Sequence, residues 1–309
     1  MICGNEEAII NRCLESASSA FDELCLVRAI GERPPDSTVE LARKFCQDNG
    51  KQFVFAEYKN KLGGLCHVDH FGDARQKSFE LSSGDWQMWL DCDDYLDEIN
   101  CARIREAVKT DEHDAIFCKY LVEKMGAEIM RERLIRRGFG SWRRAIHETC
   151  DVSGRVANCP QISVFHSDHS TKNKSSASRN ATILKHVLSD APRHFFYLHS
   201  ELKMIGDVDG AKRSAHAALM LLPEDSVEER YLVLLNLAEM ETENAERHLL
   251  SAAKIQPHRR EAFAYLSQHS LNKKNISDAT SWFRIMDSLP LPSPIPWTHR
   301  SLWLSLIHI

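Results

Sequence analysis

The chain has 309 residues, 43% of them hydrophobic and 27% charged, with a formal net charge of −5. That length supports two domains with real cores. The negative balance excludes a general pull toward nucleic acid or anionic membrane surfaces. No apolar stretch approaches the ~20 residues of a membrane span, and with Glu6 and Glu7 so early nothing at the start resembles a secretory signal.

Read in chain order, the first half alternates short apolar runs with helical stretches. Ile2-Cys3 is a minimal strand, and Glu6 to Ala17 has helical spacing through Ile9, Ile10, Cys13 and Leu14. Leu24 to Val27 reads as a strand. Asp36 or Ser37 then caps a helix over Val39 to Asp48. The strand Gln52 to Phe55, a helix around Ala74 to Leu81, and the strand Trp86 to Leu90 follow. Such alternation predicts a parallel sheet covered by helices, with the short first strand near its centre. A helix over Ile99 to Lys109 and strands over 115–122, 128–135 and 161–165 complete this half.

From about Pro192 the period changes. Ala211, Ala245 and Ala279 lie 34 residues apart, as do Leu198, Leu232 and Leu266, and Phe195, Glu229 and Phe263. Pro223 and Pro257 keep the register, and Pro290 falls one residue early. Paired helices with small residues at their crossings resemble the tetratricopeptide repeat, with His199 where glycine is common. The expected organisation is an α/β domain over 1–170, a polar linker over 171–191, about three repeats over 192–293 and an irregular tail over 294–309. Both chain ends read as those of a fragment. Ten scattered cysteines without a C-x-x-C pair suit a reduced, cytoplasmic setting.

The most informative segment is Asp91-Cys92-Asp93-Asp94, at the end of the Trp86–Leu90 run. Carboxylates crowded at the carboxyl edge of a sheet repel one another unless a cation lies between them. A hard ion such as Mg²⁺ or Mn²⁺, shared with substrate phosphates, meets that need. The competing reading is a helix cap at Asp93 or Asp94. His67-Val68-Asp69-His70 has the spacing of one helical turn, and no second cluster completes a transition-metal site.

Five segments together resemble a family 2 glycosyltransferase of the GT-A fold followed by tetratricopeptide repeats. They are Ile2-Cys3-Gly4-Asn5-Glu6-Glu7, Pro35 to Thr38, His70 to Gln76, Gly84 to Asp94, and Trp142 to Glu148. The resemblance implies a nucleotide-sugar-binding, Rossmann-like sheet domain, an inverting sugar transfer, and Mg²⁺ or Mn²⁺ as cofactor. It implies Asp93 as the leading metal ligand, Asp91 shared between metal and ribose, and His166 as a third ligand. Asn5, Glu6 and Asp36 would line the nucleotide pocket. Arg75 would orient an acidic group or the donor phosphates, with Asp91. Glu148 is the expected general base, beside aromatic and basic residues where sugar rings can stack, and His147 would ligate metal or hold phosphate. Arg28 follows the second strand where many relatives carry an acid, so the donor base is left open. His70 and Gln76 replace the commoner Asp and Asn.

The acceptor is expected to be a glycan, a lipid-linked glycan or a protein, with the repeats binding a partner or a second copy of the chain. A non-catalytic scaffold with a degenerate sugar-nucleotide domain is the alternative. A nucleotidyltransferase is disfavoured, because Gly4-Asn5-Glu6-Glu7 is acidic where a phosphate loop would be basic.

Overall fold

The structure, a computed structural model, describes residues 1–65, 68–122, 127–167, 174–187 and 192–290. The tail at 294–309, His67 and parts of the expected linker lie outside the described residues. The chain divides into two compact units, Met1–Lys172 and Asn173–Ile309.

The first unit opens with strand β1 (Ile2–Cys3), helix α1 (Ile10–Ala17), β2 (Glu23–Ile30), α2 (Thr38–Asp48) and β3 (Gln52–Lys59). The strands pair in parallel in the order β1-β2-β3. The short first strand is therefore an edge of this sheet and not its centre. Helix α1 buries Ile10, Cys13, Leu14 and Ala17, the stripe that a 3.6-residue period places on one face, with Ile10 and Leu14 against Cys3, Leu24, Leu26 and Cys92, and Cys13 and Ala17 against Leu90, Leu96 and Cys101. It begins at Ile10, later than the apolar spacing predicts; before it, Glu6 N–H donates to the Thr38 hydroxyl at 2.7 Å and the Glu6 carbonyl accepts from Ile9 and Ile10 N–H at 3.0 Å.

Helix α3 (Phe71–Glu80), β4 (Trp86–Met88), β5 (Asp94–Tyr95) and α4 (Glu98–Ala107) come next. They are followed by β6 (Ala115–Val122), β7 (Ala127–Arg136), β8 (Gly140–Arg143), β9 (Thr149–Val152) and β10 (Val156–His166). A second sheet has the order β4-β7-β6-β10-β5, with only the β10–β6 pair parallel. The expectation of one parallel sheet thus holds for the first three strands alone. Periodicity gives a strand's existence but not its partner, and β4 pairs antiparallel with β7. The β8–β9 hairpin and the two-residue β5 were not foreseen, being too short to show alternation. Asp97, not Asp93 or Asp94, caps α4 by accepting from Asn100 N–H.

The β6–β7 ladder carries a register shift beside the acidic turn. Phe117 pairs with Glu132 and Ile116 with Leu134, leaving Arg133 as an extra residue on β7. Such bulges re-aim a side chain, and Arg133 points inward with no exposed surface.

The second unit begins with α5 (Lys174–His186), inside the stretch expected to be linker. Its Ala177, Ala181, Ile183 and Leu184 are buried, an apolar set that the flanking Ser/Lys-rich composition concealed. Three helix pairs follow: α6 (Pro192–Ile205) with α7 (Val208–Leu221), α8 (Val227–Met240) with α9 (Ala245–Ile255), and α10 (Glu261–Asn272) with α11 (Ile276–Ser288). Ala211, Ala245 and Ala279 are 0%, 5% and 2% exposed, so the periodic alanines sit where helices approach most closely. His199 is fully buried, its Nε2 3.1 Å from Asn236 Nδ2. Among the described residues no helix is long and apolar enough to cross a membrane.

Candidate active site

Helix α3 brings the site together. The first helical N–H groups of any helix lack partners inside it, and here each finds one outside. Phe71 N–H donates to Ala145 O at 2.9 Å, Gly72 N–H to Arg144 O at 3.0 Å, and Asp73 N–H to His70 Nδ1 at 2.9 Å. His70 and Asp69 thus serve as a helix cap and a loop anchor, Asp69 accepting from Tyr58 and the Lys61 and Leu62 amides. The backbone of the 144–148 loop lies so close that a Cβ at Gly72 would stand 2.6 Å from Arg144 O and 2.8 Å from Arg143 C. Only glycine allows that approach. The loop is itself bent through the left-handed region at Arg144 (φ 72°) and His147 (φ 52°).

One turn along α3, Arg75 is buried between two acids from distant segments. Its Nη2 donates to Asp91 Oδ1 at 2.8 Å and its Nε to Glu148 Oε1 at 2.7 Å. Burial by itself would weaken its hold on the proton, but Asp91 and Glu148 outweigh that and raise its pKa above the ordinary guanidinium value. The guanidinium carbon lies 4.4 Å from the Trp89 ring centre and 5.2 Å from that of Trp142. Arg131 steadies the same loop, with Nη2 3.4 Å from the Glu148 carbonyl.

The acidic turn divides its carboxylates. Asp91 faces Arg75. Asp94, with no exposed surface, accepts from Asp91 N–H at 3.0 Å, Arg133 Nη1 at 3.1 Å and the Tyr120 hydroxyl at 3.0 Å, and lies 3.2 Å from His166 Nδ1. Asp93 Oδ1 is 3.6 Å from the same imidazole nitrogen. Its carbonyl accepts from Ser167 N–H at 3.1 Å, Ser167 Oγ at 3.0 Å and Arg12 at 3.3 Å, which locks the turn to the end of β10.

Donor atoms of Asp93, Asp94 and His166 lie within 4.8 Å of one another, the one such three-residue group among the described residues. Asp91, Asp93, Asp94 and Glu148 bring four negative charges against the three positive ones of Arg75, Arg133 and Arg12, while Arg131 and Glu132 pair with each other. The one surplus negative charge and the carboxylate–imidazole pair of Asp93 and His166 suit a divalent cation.

Asn5, Glu6 and Asp36 gather in a second cluster at the ends of β1 and β2. Asn5 Nδ2 donates to Pro34 O at 2.8 Å, Glu7 N–H to Asp36 Oδ2 at 3.1 Å, and Arg28 Nη2 lies 3.5 Å from Asn5 Oδ1. Burial pushes the Asp36 carboxyl up, but hydrogen bonds from Thr38 and Glu7 and the charge of Arg28 prevail and lower its pKa. Cys92, buried against the Ile2 carbonyl at 3.9 Å, holds the acidic turn beside β1, which runs directly into Asn5. His147 occupies the Glu148 loop with an exposed side chain.

The structure therefore joins Arg75, Asp91 and Glu148 in one group and Asp93 and His166 in another. Reading the sequence missed Trp89, Tyr120, Arg131, Arg133 and Ser167. The bulge at Arg133 has no sequence signature, although Arg131-Glu132-Arg133 between the apolar pairs Ile129-Met130 and Leu134-Ile135 is a signal of buried charge.

The profile of Glycosyl transferase family 2 matches residues 1–160, more than half the chain. A search of the curated proteins returns no match. Among solved structures, S. aureus TarS 1-349 in complex with UDP-GlcNAc is similar at 11% identity, covering 83% of this chain and 91% of that one with a TM-score of 0.47. YrrB, a TPR protein with an unusual peptide-binding site, is similar at 15% identity, over 44% of this chain and 68% of that one, with a TM-score of 0.36. MamA is similar at 19% identity over 36% of this chain with a TM-score of 0.33, and this chain spans 66% of its length.

Proposed function

The chain belongs to glycosyl transferase family 2, and from that premise we propose that it is a metal-dependent, inverting transferase that moves a sugar from a nucleotide-sugar donor to a hydroxyl acceptor. The observation that carries this reading is the buried Arg75 bridge, which ties Asp91 to Glu148, 57 positions apart in the chain. A scaffold has no need to bury a guanidinium between two acids, since replacing such groups with apolar side chains often stabilises a fold.

In this reading Asn5, Glu6 and Asp36 hold the nucleotide at the strand ends, and Asp91 faces its ribose. Asp93 and His166 would hold Mg²⁺ or Mn²⁺, which when bound supplies positive charge against the departing diphosphate. Glu148 takes the proton of the acceptor hydroxyl as that oxygen forms its bond to the anomeric carbon and the carbon–phosphate-oxygen bond breaks. Arg75 fixes the direction of the Glu148 carboxylate, and His147 and the exposed Arg144 lie in the same loop to meet phosphate or acceptor. The helical repeats would bind the acceptor, a protein partner or a second copy of the chain.

Calorimetric titration with UDP, GDP, CMP and dTDP, each with and without Mn²⁺, tests this. Metal-dependent binding of one nucleotide, lost in Asp93→Ala, is expected. Absence of binding to all four by a folded chain would refute the transferase reading and leave the scaffold.

A further inference from the structure

Asp94 is the most enclosed acid of the turn, and its neighbours account for its whole capacity. A carboxylate offers about four lone-pair sites. The Asp91 amide and Arg133 Nη1 occupy Oδ2, at 3.0 and 3.1 Å. The Tyr120 hydroxyl and His166 Nδ1 occupy Oδ1, at 3.0 and 3.2 Å. Nothing is left with which to ligate a cation. The arrangement is also held from behind. Arg133 has no exposed surface, its guanidinium carbon is 3.6 Å from the Trp89 ring centre and 4.3 Å from that of Tyr120, and its Nε and Nη2 are buried without a hydrogen-bond partner. A guanidinium left with two unpaired nitrogens is costly. Its one strong electrostatic partner, Asp94, is what the bulge at Arg133 exists to reach.

We infer that Asp94 is a positioning residue and not a metal ligand: it accepts a hydrogen bond from His166 Nδ1–H and so fixes the tautomer in which Nε2 carries the lone pair. An imidazole that binds a cation through one nitrogen commonly donates its other N–H to a carboxylate, which sets ring orientation and raises basicity. The turn then has a division of labour in which Asp91 meets Arg75, Asp93 offers a ligand oxygen, and Asp94 orients the histidine. The consequence for metal affinity rests on the transferase reading proposed for this site. The hydrogen-bond geometry does not.

The test is side-chain ¹⁵N NMR of the full metal-free chain at about pH 8, with His166 assigned by its loss in His166→Gln. The expected spectrum shows His166 with the proton on Nδ1; a proton on Nε2 would overturn the inference. Mn²⁺ titration followed by electron paramagnetic resonance should show a 10- to 100-fold weaker affinity for Asp94→Asn. Wild-type affinity in a folded Asp94→Asn chain would also overturn it. If that variant fails to fold, the wild-type tautomer decides the matter. A wild-type chain with the Nδ1–H tautomer that binds no Mn²⁺ upholds the Asp94–His166 geometry and refutes the metal-dependent reading of the site.

Discussion

Of the three arginines that pack against the Trp89 indole, Arg75 and Arg133 belong to different kinds of region. Arg133 touches Asp94 where neither side chain has any exposure, whereas Arg75 bridges Asp91 and Glu148, whose side chains are 32% and 14% exposed. Both guanidiniums end at the same four-residue turn. One side of that turn is frame, sealed by a β-bulge; the other is open enough to meet a substrate. Burial of the partner, rather than the identity of the charged pair, separates them, because water can take over the solvation of Asp91 but not of Asp94.

Arg133→Met should have the largest effect, roughly 3–5 kcal/mol of lost stability in the first unit, since Asp94 would be left as an uncompensated buried charge. Adding Asp94→Asn to it should recover much of that loss in thermal denaturation. Arg75→Met should cost less stability, with nucleotide binding and turnover the main casualties. Equal melting temperatures for the two single variants would break the distinction between frame and site.

The repeats supply a different buried cation problem. Burial pushes His199 down to about 4, so the unfolded chain binds the extra proton first. Stability of the second unit should therefore fall as pH drops below about 6.5, with the loss complete near pH 4 at roughly 3 kcal/mol. His199→Leu should flatten that dependence in melts followed between pH 7 and pH 4.5. A wild-type unit whose melting does not respond to acid would show that His199 is hydrated.

Gly72→Ala forces a methyl against the Arg144 and Arg143 backbone and should cost about 1–3 kcal/mol. Because that contact sets the distance between Arg75 and Glu148, turnover should fall more than stability suggests, by about 100-fold for a shift near 1 Å. The smallest effect expected is at Arg144, where glycine would relieve the left-handed backbone (φ 72°) and change stability by no more than about 1 kcal/mol. A large loss of sugar transfer in Arg144→Gly, with folding intact, would instead place its side chain in the substrate contact.

Much of the fold is legible in the sequence where a period repeats. The alanine column at 211, 245 and 279 locates the helix crossings, and Ile10, Cys13, Leu14 and Ala17 locate the buried face of α1. Short elements escape: a hairpin of four-residue strands around Glu148 offers too few turns of alternation to register. The order of the motifs gathers Arg75, Asp91, Asp93 and Glu148 as a set, while the resemblance adds His166 and suggests their roles.

What the sequence determined by itself was therefore the two-part organisation, the repeat period and the identity of the charged residues that must find partners. Which partner each one found was decided only in three dimensions. Asp91 and Asp94 lie within one turn, yet one meets Arg75 and the other meets Arg133 and His166, from 39 and 72 residues away. Consecutive side chains in a turn leave the backbone in different directions, and what each then meets depends on strands and helices whose pairing no local pattern encodes.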